Sequence, residues 1–407
     1  MKWESILLSD IADFSNGINF EKSAYSVGVK LISVSNFGNR FSPDYEELQE
    51  VSEDAVREAD YLQDGDIVFV RSNGNKELVG RCMLINNPQF HVTYSGFCIR
   101  ARIKDAEKFN PVFFTYYFKN KAFRKAMAGT AVGSNIQNLS QGRLSKHIAN
   151  VPDIGTQNRI ASVLSSYDTL IENNQKQIKL LEEAAQRLYK EWFVDLRFPG
   201  HETTPIVDGI PEGWKEGTIA DICSRIGAGG TPSRSKGLYW NPAEIKWFKT
   251  GELLDCWLLD SGEKISEEGL AHSAAKLFPP NTVLMAIYAS PTLGRLGILA
   301  SEASCNQAAL CLVAKDSVVS WQWLYQKLYE LRDEFNAVAK GAGQQNISAD
   351  VVKKWAIIIP GKECVEQYTS LTAPMFKRMR TLQAQNTKLC EARDRLLPKL
   401  MSGEIEV

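Results

Sequence analysis

The sequence predicts an α+β chain of two globular α/β domains in tandem repeat, joined by two long helices that form an antiparallel coiled coil. Three observations predict it: the two halves open alike, they close alike, and each closes on a long run of heptad-spaced apolar residues. At the openings, "KWESILLSDIADFSNG" aligns with "GWKEGTIADICSRIGAG", matching Trp3 to Trp214, Leu8 to Ile219, Asp10 to Asp221 and Ile11 to Ile222. At the ends, "LLEEAAQRLYKEWF" aligns with "KLCEARDRLLPKLM", so that Leu181, Glu183, Ala184, Arg187 and Leu188 recur as Leu389, Glu391, Ala392, Arg395 and Leu396. Between them "NLSQGRLSKHIANVP" from Asn138 recurs as "NISADVVKKWAIIIP" from Asn346, at an offset of 208. The interiors of the halves mostly do not match, which describes a common framework with divergent contents.

Within the first half, "VKLISVSN", "GDIVFVRS", "RCMLIN" and "FCIRARI" combine β-branched and aromatic residues between turn residues and read as strands. "NPVFFTYYFKNKAFRKAMAG" reads as one helix, with Asn110 as N-cap, Pro111 at the first helical position and Gly129 past the end. Its counterpart runs from the Ser320 cap to Gly341. A Gly-rich polar turn and the repeated segment follow in each half, and Pro152 or Pro360 ends the globular part and opens the long helix. The expected divisions are 1–152 and 198–360 for the domains, 153–197 for the first long helix, and 361–407 for the second with its tail.

In the first long helix Ile160, Leu164, Tyr167, Ile171, Asn174, Ile178, Leu181, Ala185, Leu188 and Trp192 alternate spacings of four and three, a coiled-coil seam. The second carries a weaker stripe: Tyr368, Thr372, Met375, Met379, Leu382, Asn386, Leu389, Arg393, Leu396 and Leu400. Antiparallel pairing at full overlap places Asn174 opposite Asn386, a polar seam pair that would fix register. Coincidence is the competing explanation for those two positions. The aromatic Trp192, Phe193 and Phe198 either dock a partner or, as the more ordinary alternative, close the core where helix meets domain.

A chain of 407 residues with 44% hydrophobic and 23% charged residues is an ordinary globular composition for two or three domains. The N-terminus lacks the apolar core of a signal peptide, and the longest apolar run, "VLMAIYA", is too short to span a bilayer, so a cytoplasmic protein without membrane association is expected. Eight cysteines without a CxxC pair and four scattered histidines argue against a zinc site and a disulfide framework. No P-loop, dinucleotide fingerprint or [ND]PP[YF] tetrapeptide occurs; "NPVF" lacks the second proline, and "NPAEIK" imitates only half a metal-nuclease motif. No catalytic residue, bound cofactor or metal is therefore expected of this chain. Charge is uneven: from Arg71 to Lys146 thirteen Lys/Arg face three Asp/Glu, whereas from Phe41 to Asp66 ten Asp/Glu face one Arg. That concentration suits a phosphate-binding face, although solvated charge runs explain it equally well.

Taken together, "IPEGWKEGTIADI", "GGTPSRSKGLYW", "EWFVDLRFPG", the paired "N(L/I)S…P" segments and "RLLPKLMSGEI" resemble the specificity (S) subunit of type I restriction-modification systems. The first half departs by lacking the "IPEGW" lead-in and keeping only Trp3. The resemblance implies two target-recognition domains, each reading one half of a bipartite, asymmetric site on double-stranded DNA. It also implies a helical spacer that sets the gap and docks two methyltransferase subunits, which restriction subunits join. S-adenosylmethionine, ATP and magnesium would be used by those partners. Competing readings are the analogous subunit of a type IIB-like system, a stand-alone DNA methyltransferase or nuclease, and a coiled-coil adaptor that binds no DNA.

Base reading needs polar side chains projected from turns, and phosphate contact needs Lys, Arg or backbone amides. Candidates in the first half are Arg71, Ser72, Asn73, Asn75 and Lys76 at the end of a strand, with Thr130, Ser134 and Asn135 in the Gly-rich turn. Their counterparts are Tyr288, Ser290, Thr292 and Arg295, with Gln344 and Gln345. "GGTPSRSK" adds Thr231, Ser233, Arg234 and Lys236, and Arg124, Lys125, Arg143 and Lys146 could hold phosphates. For any single one of these, an ordinary solvated turn is the alternative.

Overall fold

The computed structural model describes residues 3–38, 40–75, 77–128, 137–288, 292–339 and 346–407. The chain divides into two compact units, one of Met1–Asn173 with Asn386–Val407 and the other of Asn174–Gln385. Each holds one globular domain and a stretch of both long helices. No helix among the described residues is long and apolar enough to cross a membrane.

In the first unit, a four-stranded antiparallel sheet has Ala12–Asn16 at one edge, then Cys98–Ile103, Ile67–Val70 and Cys82–Leu84. The strand Ile67–Val70 is buried on both faces, which explains its unbroken apolar run. One face packs on Phe113, Phe114 and Phe118 of the helix Pro111–Lys119 and on Ile160, Leu164, Leu400 and Met401 of the long helices. The other face covers Phe37, Leu62 and Tyr94. A smaller sheet sets Val29–Ile32 between Gln49–Val51, antiparallel, and Val92–Tyr94, parallel.

The second unit repeats these pairings with different side chains. Cys223–Ala228, Ala309–Ala314, Val283–Ala286 and Leu296–Leu299 replace the four strands, and Cys256–Leu258 adds a fifth, parallel to the last. Ile245–Phe248 lies between Glu263–Ile265, antiparallel, and Ser304–Cys305, parallel. The terminal ribbons share one register: Glu4 faces Val151 in the first, and Lys215 faces Ile359 in the second.

Asn110 caps its helix by accepting from the Phe113 N–H at 3.0 Å, and Ser320 does the same for Trp323 at 3.3 Å. The single helix expected after each cap is instead two. Pro111–Lys119 stops at Asn120, whose side chain accepts from the Ala122 N–H and starts Lys121–Ala128; Trp321–Glu330 gives way to Arg332–Val338 at Leu331. Pro152 does not open the long helix either: it ends the strand Ile148–Pro152, and Asp153 caps the helix by accepting from Thr156 N–H at 3.0 Å and Thr156 Oγ1 at 2.9 Å.

The long helices are Ile154–Tyr189, of 36 residues, and Lys362–Ser402, of 41. Their contacts within each unit run antiparallel. In the first, Arg393 forms an ion pair with Asp168, and Asn386 Nδ2 donates to the Ile171 carbonyl at 3.4 Å. In the second, Arg378 donates to Gln177 at 3.1 Å and the Tyr368 hydroxyl to the Ala185 carbonyl at 3.4 Å. Asp168, one place beyond the expected seam residue Tyr167, is the buried one of the two. Trp192 and Phe198 are buried in the core of the second unit, with Phe193 edge-on to Trp323 and Tyr368.

Candidate nucleic-acid interface

The buried strand Ile67–Val70 delivers Arg71 to one end of the first unit, where its main chain is held on both sides. The Arg71 N–H donates to the Phe97 carbonyl at 2.8 Å, and its carbonyl accepts from Leu139 at 2.9 Å. Ser72 and Asn73 then pair antiparallel with Asn138 and Gln137. The turn after residue 71 is thereby tied to Gln137, Asn138 and Leu139, where the repeated segment begins. Asn73 Oδ1 accepts from the Asn75 N–H at 2.7 Å, and Asn75 Oδ1 from Glu77 at 3.0 Å, so both amides shape the turn as well as polarising it.

Guanidinium groups border this turn and the helix Lys121–Ala128 beside it. Arg71 Nη1 donates to the Gly96 carbonyl at 3.3 Å, Arg124 Nη2 to Glu77 at 2.7 Å, and Arg143 Nη2 to Ala126 at 3.3 Å. All three spend donors on main-chain carbonyls rather than carboxylates, so their positive charge is not cancelled by these contacts. Lys125 is exposed on the helix Lys121–Ala128, and Lys146 is exposed just past the helix Gln141–Ser145.

Elsewhere the basic run is internally committed. Arg102 pairs with the buried Asp66 of the acidic run at 2.6 Å, Lys104 with Asp13 at 3.2 Å and Lys108 with Asp105 at 3.0 Å. Lys119 is half-buried, donates to the Arg40 carbonyl at 2.8 Å, and has its pKa lowered by desolvation. The acidic and basic runs thus partly fold against each other, and the charge left at the turn is smaller than the sequence count.

The second unit builds the same frame. The Ile287 N–H donates to the Ala308 carbonyl at 2.9 Å, the Ile287 carbonyl accepts from Ile347 at 3.0 Å, and Tyr288 bridges Asn346 antiparallel. Thr292 Oγ1 donates to the Tyr288 carbonyl at 3.2 Å, and Arg295 is half-buried where the chain returns. Thr231 joins the frame by donating to Gln307 at 2.5 Å. Ser233, Arg234 and Lys236 lead away from it. Ser233 bonds Ser235 at 2.9 Å, Arg234 forms an ion pair with Glu263 and stacks 3.7 Å above the Trp240 ring centroid, and Lys236 donates to the Tyr239 hydroxyl at 2.9 Å. Bonds from Arg234 and Lys249 hold the Glu263 carboxyl below its ordinary pKa, and the bond to Tyr239 raises that of Lys236.

Lys76, Thr130, Ser134, Asn135, Ser290, Gln344 and Gln345 lie outside the described residues. Asn174 is buried. Among the described residues no group of three or more His, Cys, Asp or Glu is placed to hold a metal ion, and all eight cysteines are free. Sequence reasoning missed the Arg393–Asp168 pair, to which the Tyr116 hydroxyl also donates at 2.5 Å. Its signal was an arginine at a seam position, which needs a buried acid. It also missed that Gly17 and Gly229 are required by close approach: a Cβ would lie 2.3 Å from the Ser95 carbonyl oxygen in one and 2.2 Å from that of Cys305 in the other.

Residues 1–183 and 211–370 both match the family model described as type I restriction modification DNA specificity domain. The type I restriction enzyme MjaIX specificity subunit of Methanocaldococcus jannaschii is 28% identical over 305 residues, covering 72% of this chain and 68% of its own. The HindI specificity subunit of Haemophilus influenzae is 21% identical over 99% of both chains. A crystal structure of a type I restriction-modification system S subunit from M. genitalium shares the fold, with a TM-score of 0.61 and 13% identity over 98% of this chain and 96% of that one. With two copies of one family domain on a duplicated frame, the chain belongs to the type I restriction-modification DNA specificity subunit family.

Proposed function

We propose that this chain is the DNA sequence-specificity subunit of a type I restriction-modification complex, recognising a bipartite, asymmetric site with one half read by each domain. One observation carries the reading: in both units the same main-chain bonds tie the turn after a buried strand to the repeated N(L/I)S itself, while the side chains of the turn differ. Identical frames with different polar side chains suit two readers of different sequences. The reading residues are Ser72, Asn73, Asn75, Thr130, Ser134 and Asn135 in the first domain, and Tyr288, Ser290, Thr292, Gln344, Gln345, Thr231 and Ser233 in the second. Arg71, Lys76, Arg124, Lys125, Arg143, Lys146, Arg234, Lys236 and Arg295 supply phosphate contacts.

Domains 1–152 and 198–360 do the reading, and the long helices of 153–197 and 361–407 set the gap between half-sites, with Asn174 and Asn386 fixing register. At 1.5 Å per residue, a helix of 36 residues is about 54 Å long, enough to span more than one DNA turn of about 34–36 Å. Two methyltransferase subunits dock on this scaffold and restriction subunits join them; S-adenosylmethionine, ATP and magnesium belong to those partners, and the complex acts on DNA in the cytoplasm. Expressing the chain with its methyltransferase subunits and mapping methylated adenines across a genome tests this. Methylation at a bipartite motif with a constant gap is expected; absent or ungapped methylation overturns it.

A further inference from the structure

A third turn belongs to the frame of each unit. Residues 95–98 close through the Cys98 N–H on the Ser95 carbonyl at 2.8 Å, and 306–309 through Ala309 on Asn306 at 3.2 Å. Each turn is fastened from two sides by equivalent bonds. Gly17 N–H donates to Cys98 and Gly229 N–H to Ala309, both at 3.2 Å, while Arg71 and Ile287 donate to the carbonyls of Phe97 and Ala308. Ser72 N–H shares the Phe97 carbonyl at 3.4 Å. These turns therefore sit beside the candidate reading segments, on the same frame in both units.

What they present differs. In the first unit Asn19 packs against Gly96 so closely that a Cβ there would lie 2.1 Å from its Oδ1, and the side chain projected is Phe97, 57% exposed. In the second unit the place of Gly96 is taken by Gln307, exposed and bonded to Thr231, and the place of Phe97 by Ala308. An aromatic ring left in water on a rigid turn contributes little to folding, because its apolar area stays hydrated. It gains only when another surface covers it.

We propose that these turns form a third reading segment in each domain, with Phe97 and Gln307 as base-contacting, specificity-determining side chains. The assignment rests on the DNA-reading function above. A phenyl ring offers no hydrogen bond, so Phe97 recognises apolar base surface, chiefly the C5 methyl of thymine in the major groove. Its neighbour Arg71, bonded to the Gly96 carbonyl, supplies a cation for the adjoining phosphate. The Gln307 amide is a donor and acceptor and reads a hydrogen-bonding base edge, with Thr231 fixing its plane.

The test compares methylation profiles directed by the wild-type chain, Phe97→Ala, Phe97→Leu and Gln307→Ala, each assembled with its methyltransferase subunits. Phe97→Ala is expected to relax a thymine preference roughly tenfold at one position of one half-site, leaving the gap, the other half-site and the thermal midpoint unchanged. Phe97→Leu retains most of that preference, because an apolar contact remains. Gln307→Ala relaxes one position in the opposite half-site. A Phe97→Ala profile identical to wild type, or one altered in both half-sites, overturns the proposal. A wild-type chain that directs no bipartite methylation overturns the underlying reading and the assignment with it, and is recognised before any variant is compared.

Discussion

Arg393 occupies a seam position of the second long helix, where a charge without a partner costs several kcal/mol. Asp168 supplies the buried partner and Asp394 an exposed one, and the Tyr116 hydroxyl from the globular domain bonds the Asp168 carboxylate. Asp168→Ala should therefore lower the unfolding free energy by about 3–5 kcal/mol in urea titrations, and Asp168→Ala with Arg393→Met should recover part of the loss. Burial, then the charges of Asp255 and Glu183, push Glu182 from 4.5 up to about 7. Such an acid binds its proton more tightly when folded, so the stability it contributes is present below pH 4.5 and lost as pH rises through 7. Glu182→Gln should raise the thermal midpoint more at pH 8 than at pH 5. At the turn, replacing Arg71 and Lys76 together should weaken DNA binding and lower its salt slope by up to about two units, one for each phosphate left without its cation. An unchanged slope rules out their phosphate role. Arg393 was visible in the sequence as an anomaly, but Asp168 was not, because heptad counting assigns the buried place to Tyr167 and says nothing of Tyr116.

At the scale of elements, the repeated N(L/I)S segment has a physical explanation for each of its three residues. Asn138 and Asn346 bridge to the reading turn, Leu139 and Ile347 are buried, and Ser140 and Ser348 cap the short helices Gln141–Ser145 and Ala349–Lys353. Strands were legible from β-branched runs between turns, and the two helix caps from Asn-Pro and Ser-Trp. The helix breaks at Asn120 and Leu331 were not, since the Asn120 side chain acts as a cap only once the chain has turned there, and Leu331 is an ordinary helix former. The glycines of the frame were visible as residues but not as requirements, because the carbonyls they meet come from strands about 75 residues away, beyond any local pattern. Gly229→Ala should lower the thermal midpoint by several degrees, as main chain must shift to admit the methyl group. Gly237→Ala, with nothing within 4 Å of the added carbon, should leave it nearly unchanged.

At the scale of the whole molecule, duplication was legible from the matched ends of the halves, and with it the number of domains and the two long helices. What each compact unit contains was not, because it depends on where chain segments distant in sequence pack. Residues 386–407 complete the unit that begins at the N-terminus: Leu400 and Met401 are buried in its core with Leu8, Phe113 and Leu164. A chain ending before Asn386 should accordingly lose the melting transition of that unit in calorimetry while retaining one for residues 174–385. In the proposed function one chain touches one duplex in two separate places. Hydroxyl-radical footprinting of the chain alone on its mapped target tests this most directly. Two protected patches divided by a constant unprotected gap are predicted; a single continuous patch, or protection of one half-site only, would contradict the account.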